Sequence, residues 1–177
     1  MLYILSDIGY NKVMKKITQS ELKNILSAHK LWHETNGKQG ERASLVGSDL
    51  EGANLQYAKL KGAILSKANL QLVSLHCADL QDTDLAGANL IYADLEGANL
   101  TGAILTGANL TGANLTGANI DGACLHGTKL YNANLTGTIL DPSRINNPAG
   151  SSFSEELQKL LDKYGLKLAG PIPILHK

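Results

Sequence analysis

Residues 98–117 read ANLTG AILTG ANLTG ANLTG, four units of five residues that share one pattern. The period extends outward from this stretch in both directions, since leucine recurs at every fifth position from Leu45 to Leu140 with Ile120 as the single replacement. Twenty consecutive units therefore span residues 43–142. Alanine stands two places before the leucine in fifteen units and glycine two places after it in twelve, so the unit reads A-(N/D)-L-x-G.

A period of five is incompatible with both regular secondary structures. Five residues of α-helix advance by about 500°, which moves successive leucines around the axis by about 140°, and a flat strand would alternate them between its two faces. A chain that turns a corner once per unit keeps every leucine and every small residue inside. Four corners of roughly 90° close a square, so we expect about twenty residues per coil and about five coils, stacked at roughly 4.8 Å in parallel pairing. Glycine at the unit boundary suits a corner with positive φ.

These units resemble the pentapeptide-repeat family, whose motif is A(D/N)LXX, over about 100 of the 177 residues. The resemblance implies an all-β solenoid, a right-handed quadrilateral β-helix built from short bridges and β-turns. Members often carry phenylalanine at some central positions. The tract has none, so we expect an interior of leucine and isoleucine.

Helix signals in both flanks predict an α-helical cap at each end of the solenoid. Residues 18–21 (TQSE) form a capping-box pattern, followed by apolar residues at helical spacing, which predicts a helix at about 19–35. Acidic residues begin a second predicted helix at about 154–164, after a linker rich in proline, glycine and serine. The predicted organisation is a segment with the first cap (1–42), the repeat tract (43–142), and a linker, second cap and tail (143–177).

Composition and charge exclude several function classes. Lysine plus arginine and aspartate plus glutamate each number 16, and this zero net charge disfavours direct nucleic-acid binding, which needs surplus cations. Two cysteines are too few for a disulfide framework or a four-cysteine zinc site, which suggests a reducing compartment. The chain shows no export or membrane-spanning segment, so we expect a cytoplasmic protein with no membrane association, cofactor or small-molecule substrate.

Positions twenty apart should stack on one face, so the outward residues can be compared in columns. One face should present Val46, Ile64, Ile104 and Cys124. Exposed aliphatic side chains scattered over a surface need no function. The alternative is that this face docks a protein partner or a second copy of the chain.

The neighbouring face should present Asp79, Asp82, Asp121 and Asp141. The repeat tract carries nine acidic and four basic residues, a net charge of −5, and the flanks carry the compensating +5. The chain is similar in predicted fold to the quinolone-resistance branch of the family, whose members occupy the DNA site of type II topoisomerases. Mimicry of DNA is therefore one hypothesis for this face, and ordinary solubilising charge is the other.

Asparagines that precede the leucines form further columns. Asn69, Asn89 and Asn109 should stack on one face, with similar columns elsewhere. Stacked amides that bond to one another or to nearby backbone are a structural device, so we interpret these columns as structure and not as a ligand site.

No catalytic or metal site is predicted. Cys124 and His126 lie on one face, but no third group is evident, and a filled convex rod offers no pocket. His76 and Cys77 are adjacent in sequence but too few for a metal site. Cys77 and Cys124 should lie on opposite faces, too far apart to form a disulfide.

The sequence thus predicts a non-enzyme, a protein-binding or scaffold module whose partner is another protein or a second copy. The alternative, from the resemblance, is a DNA-mimicking modulator or protector of a type II topoisomerase such as DNA gyrase. Fold alone does not choose between them.

Overall fold

The computed structural model describes residues 14–139 together with residues 159, 162 and 163. It begins with the two-residue strand β1 (Lys15–Lys16), followed by the helix α1 (Gln19–Glu34) and the strand β2 (Ser48–Asp49). β1 pairs with β2 in parallel, and the Ile17 amide continues the pairing by donating to the Asp49 carbonyl at 3.3 Å. No helix within residues 14–139 is long and apolar enough to cross a membrane.

From Ser44 to Ile139 the chain forms a ladder of single parallel bridges. Each of the sixteen bridges joins residues twenty apart, from Ser44 with Ile64 to Asn119 with Ile139. Four five-residue units therefore make one turn of the ladder, as the period predicts. The leucine amide donates to the carbonyl nineteen residues ahead, as in Leu65 to Asp84 at 2.7 Å.

The interior consists of two residues from each unit. The leucine and the small residue two places before it are buried in nearly every unit, and only Ala53 and Ala58, near α1, are partly exposed. Thr83 departs from the alanine consensus without changing the corner, because its hydroxyl donates to the Leu60 carbonyl at 2.9 Å. Thr128 and Thr138 make the same bond to the carbonyl twenty-three residues earlier. The interior is thus leucine, isoleucine and small residues, as predicted.

Corners are closed by a turn with positive φ two residues after each leucine. Glycine occupies this position in most units, as at Gly107 with a φ of +68°. The amide that follows donates back to the leucine carbonyl, as in Ala108 to Leu105 at 2.9 Å. This combination is that of a type II turn, whose third residue needs positive φ.

α1 has the capping box predicted from the sequence and ends one residue before the expected boundary. The Glu21 amide donates to the Thr18 hydroxyl, and the Thr18 amide donates to the Glu21 carboxylate at 2.9 Å. The Thr18 hydroxyl also donates to that carboxylate at 2.9 Å, and the two bonds from Thr18, followed by the bond and charge of Lys15, lower the pKa of Glu21 to about 2. Leu22 reaches the leucine core, so α1 lies against the first turn of the ladder.

The linker predicted at 143–152 and the helix predicted at about 154–164 lie outside the described residues, apart from three positions. Lys159, Asp162 and Lys163 are helical and exposed.

Candidate interaction faces

The ladder has four faces, which we number by the first buried leucine of each column. Face 1 contains the unit of Leu45 and every fourth unit after it, and faces 2, 3 and 4 begin with the units of Leu50, Leu55 and Leu60. Three residues of each unit point away from the core, so the outward residues of one face stack at the ladder spacing of about 4.8 Å.

Face 1 holds the four apolar residues that the sequence grouped together. Val46 is 52% exposed and Ile104 is 44% exposed, whereas Ile64 and Cys124 are partly buried. Ile64, Ile104 and Cys124 belong to one column of bridges. The Cys124 sulfur lies 3.2 Å from the Thr106 hydroxyl. Whether this face binds a partner stays a prediction.

Face 4 holds the predicted aspartates, except that Asp141 lies outside the described residues. Asp79, Asp82 and Asp121 share this face with Lys59 and Lys61, so its described part has a net charge of only −1. The tract's negative charge is consequently spread over several faces and is not concentrated here.

Asp79 also has a structural role in the ladder. One of its oxygens accepts from the Asn99 side chain and from the Gln81 amide, both at 3.3 Å. Asparagines in the same slot behave alike, and the Asn89 amide group donates to the Asn69 side chain at 3.1 Å. Side chains in these columns thus bond to one another along the ladder, as expected for Asn69 and Asn89. The carboxylate of Asp79 is therefore committed in part to the fold.

A cavity of about 280 Å³ lies between α1 and face 4. Its lining mixes charges of both signs, with Lys30, Lys59 and Lys61 opposing Glu34 and Asp79 among the lining residues. This mixture selects neither an anionic nor a cationic ligand.

The imidazole of His29 is buried on the side of α1 that packs against the ladder, and it also lines this cavity. Its Nδ1 accepts from the Ala43 amide at 3.2 Å, and its ring stacks on Trp32 with 5.5 Å between centroids. Burial, followed by the charges of His33 and Arg42, lowers its pKa, and the Lys61 backbone opposes this effect. Because a protonated Nδ1 could not accept from the Ala43 amide, this contact between α1 and the ladder requires an unprotonated Nδ1.

Face 2 carries an apolar cluster that the sequence did not single out. Leu72, Tyr92 and Tyr131 are each more than half exposed, and we call them the face 2 cluster. Leu72 and Tyr92 occupy the turn position with φ of +57° and +55°, where most units have glycine. The Tyr92 ring lies over Gly112, where a Cβ would collide with it. A period of twenty places Leu72 and Tyr92 in one column, and Tyr131 lies in the neighbouring column two turns further along.

Face 3 brings together three potential metal ligands that are separated in sequence. His76, Asp94 and Glu96 each offer a ligand atom, and these atoms lie within 4.8 Å of one another. Sequence analysis considered His76 only with its neighbour Cys77. Cys77 and Cys124 lie on different faces, as expected, and both are free thiols.

The pentapeptide repeats family model matches the chain in eight copies, over residues 41–71, 68–107, 78–117, 93–130 and 105–137. Together these matches cover more than half of the chain. The protein belongs to the pentapeptide repeat family. Pentapeptide repeat proteins are generally non-catalytic structural or binding modules, and their fold is the right-handed quadrilateral β-helix.

Several solved structures are similar to this chain, among them two of pentapeptide repeat proteins. One from the thylakoid lumen of Arabidopsis thaliana is 33% identical, with a TM-score of 0.45, and the match covers 69% of this chain and 76% of that one. HetL, involved in heterocyst differentiation regulation in the cyanobacterium Nostoc, is 33% identical with a TM-score of 0.36, covering 64% of this chain and 56% of HetL. QnrB1, a plasmid-mediated fluoroquinolone resistance protein, is 17% identical with a TM-score of 0.24, covering 72% of this chain and 82% of QnrB1. No curated protein matches the chain significantly.

Proposed function

We propose that this pentapeptide repeat protein is a non-catalytic binding module that docks another protein on face 2. The observation that carries the proposal is the face 2 cluster, Leu72, Tyr92 and Tyr131, which exposes large apolar side chains on a hydrogen-bonded ladder. Tyrosine is enriched at protein interfaces because its ring contributes a large contact area at a small cost in side-chain entropy.

The backbone at two of these residues supports a role outside the fold. A leucine or tyrosine with positive φ costs about 1–2 kcal/mol relative to the right-handed conformation, and glycine would avoid this cost. Because Leu72 and Tyr92 project from the ladder, burial of their side chains offsets little of that cost. Contact with a partner would bury both side chains and so compensate for the backbone strain.

The partner chemistry follows from the side chains of face 2. Leu72 and Tyr92 lie on adjacent turns, and Tyr131 lies about 10 Å further along the axis. Asp49 and Glu51 flank this apolar stretch near α1. Lys129 lies beside Tyr131 at the other end of the stretch. A protein surface that presents apolar side chains between a basic group, facing Asp49 and Glu51, and an acidic group, facing Lys129, fits this arrangement.

A quantitative pull-down with three baits tests the proposal. The baits are the wild-type chain, the triple variant Leu72→Asn, Tyr92→Asn, Tyr131→Thr, and the control Tyr57→Asn, which replaces an exposed tyrosine with the same positive φ on face 3. We expect a partner that binds the wild type and the control equally and the triple variant at least about tenfold less. Equal capture by all three baits, or capture of nothing specific, would refute the role of face 2.

Self-association through face 1 is the second form of the binding hypothesis, supported by the exposure of Val46 and Ile104. Light scattering on the variant Ile104→Lys tests it. A lower mass than that of the wild type supports a dimer through this face, and an unchanged mass excludes it.

The DNA-mimicry alternative is supported by the −5 charge of the repeat tract. The described part of face 4 carries two lysines beside its three aspartates, which weakens the resemblance to a continuous row of phosphates. A gyrase supercoiling assay decides the question, because mimicry requires inhibition or protection that increases with protein concentration. No effect at a large molar excess would exclude it.

We further propose that the protein acts in the cytoplasm and that helices cap both ends of its ladder. At the first end, Leu22 covers the leucine core and the Ala28 carbonyl accepts from the Glu41 amide at 3.2 Å. A solenoid needs such covers because its terminal turns would otherwise expose apolar surface. The matching cap at about 154–164 stays a prediction from the sequence, and deleting residues 143–177 should cause aggregation.

A further inference from the structure

Three side chains on face 3 are brought together only by the ladder. The bridge between Ser74 and Asp94 sets two turns in register, so His76 stacks above Glu96, and Asp94 precedes Glu96 by two residues. Their ligand atoms, one from each side chain, lie within 4.8 Å of one another. An imidazole nitrogen and two carboxylate oxygens thus converge on one point of the surface.

We propose that His76, Asp94 and Glu96 bind a divalent transition-metal ion, with Zn²⁺ as the best fit. Imidazole together with carboxylate favours zinc and related first-row ions, whereas magnesium and calcium prefer oxygen ligands alone. Zinc with nitrogen and oxygen ligands at about 2.0–2.2 Å needs donor atoms about 3.3 Å apart. The exposed side chain of Glu96 can rotate to supply that contraction, and water completes the coordination.

A neighbouring amide already holds the two carboxylates side by side. The side-chain nitrogen of Asn114 donates to Oδ1 of Asp94 at 3.2 Å and to Oε2 of Glu96 at 3.3 Å. Within residues 14–139, each carboxylate keeps its other oxygen without a hydrogen bond. The edge of the Tyr57 ring contacts the His76 ring with 5.7 Å between centroids. Such outer contacts orient metal ligands before the ion arrives.

The charge of face 3 gives an independent reason for a cation. Between residues 53 and 137 this face contains no lysine or arginine, and Asp94 and Glu96 are its only acidic residues. Faces 1, 2 and 4 each carry at least one lysine beside their acidic residues. Two adjacent carboxylates repel each other, and a divalent ion neutralises both.

Face 2 supplies a matched arrangement that lacks the histidine. Asn69 donates to Asp49 at 2.9 Å and to Glu51 at 3.4 Å, which reproduces the carboxylate and amide geometry. Twenty residues before Glu51 the chain has Leu31, which belongs to α1. This second cluster therefore controls for binding by paired carboxylates alone.

Calorimetric titration of the full, tag-free chain with zinc chloride, after treatment with a chelator, tests the proposal. We expect one ion per chain, and an affinity reduced about tenfold or more by His76→Gln and by Asp94→Asn. The control Glu51→Gln should bind as the wild type does. Circular dichroism without metal verifies that every variant is folded.

Two results would overturn the assignment. One is the absence of saturable zinc binding by the wild type, and the other is undiminished binding by His76→Gln. Cys77→Ser provides a further check, because loss of binding in that variant would show that the thiol, and not the proposed set, supplies the essential ligand. Retained zinc binding in the presence of excess magnesium supports the mixed nitrogen and oxygen site.

Discussion

Replacing Leu100 with alanine should destabilise the protein by about 4 kcal/mol. Leu100 is fully buried, between Leu80 and Ile120 in the same column of the interior. Its amide donates to the Asn119 carbonyl at 2.6 Å, and its carbonyl accepts from the Ala103 amide at 2.9 Å. The backbone on both sides is thus fixed by the ladder and cannot close around a missing side chain.

The magnitude follows from the atoms that are removed. Leucine to alanine deletes three carbons, and each buried methylene contributes about 0.8 kcal/mol, which gives about 2.4 kcal/mol. A rigid site that keeps a cavity of about 60 Å³ adds about 1.4 kcal/mol at roughly 24 cal/mol per Å³. A site that collapsed would add almost nothing, so the measured value reports on the rigidity of the ladder.

Urea unfolding followed by circular dichroism measures the effect as a lower midpoint with an unchanged slope. Ile104→Ala is the control, because its side chain is partly solvated and should cost less than about 1 kcal/mol. A loss of about 2.4 kcal/mol or less for Leu100→Ala would falsify the claim that the interior column is rigid, because that is the value expected of a site that closes around the missing side chain.

Further predictions concern the corners, α1 and a buried hydroxyl. Gly107→Ala should lower the free energy of unfolding by about 1 kcal/mol, because of its positive φ alone. Gly112→Ala should lower it further, because the new Cβ meets the Tyr92 ring, and the midpoints of urea unfolding compare the two variants. Acidification below pH 6.5 should loosen α1, because the pKa of His29 is lower in the folded protein than in the unfolded chain. The contribution of His29 to the free energy of unfolding is complete above pH 6.5 and is lost as the pH falls through the pKa of the folded state. Fluorescence of Trp32, the only tryptophan, should report this transition, and its persistence in His29→Gln would contradict the assignment. Thr83→Val should cost about 1 kcal/mol through loss of the hydroxyl bond, and a neutral result in urea unfolding would show that this bond contributes nothing.

The interior could be predicted because the leucine of every five-residue unit must be buried whatever its neighbours are. Leu45 and its successors have no other way to share a dry core, so the twenty-residue turn followed from spacing alone. The Thr18 capping box was equally local, because it depends on residues three apart. Both predictions rest on requirements that each unit or each helix end satisfies by itself.

The candidate sites were harder to predict because they depend on register between distant residues. His76 was considered with its sequence neighbour Cys77, although its partners Asp94 and Glu96 lie on the next turn. Lys59 likewise shares a column with Asp79 on the predicted acidic face, although the two are twenty residues apart in sequence. On this ladder the side chains that lie next to one another are twenty residues apart in sequence. Motifs of adjacent residues therefore do not show which side chains form a site.

The corners without glycine are concentrated in the half of the ladder nearer α1. Among the corner positions from residue 47 to 137, twelve are glycine and seven are not, and six of those seven fall between residues 57 and 92. Two of the seven, Asp82 and Asn132, are residue types that adopt this conformation readily, and at roughly 1 kcal/mol or more each the other five together cost about 5 kcal/mol, which the leucine interior must offset. Corners from Gly97 to Gly127 are all glycine and avoid it. Leu72 and Tyr92 of the face 2 cluster lie in the half with the strained corners, and the proposed metal ligands of face 3 lie in or next to it. The half with glycine corners adds length and stability without backbone strain. In the half nearer α1, contact with the proposed partner or ion would compensate for the strained corners.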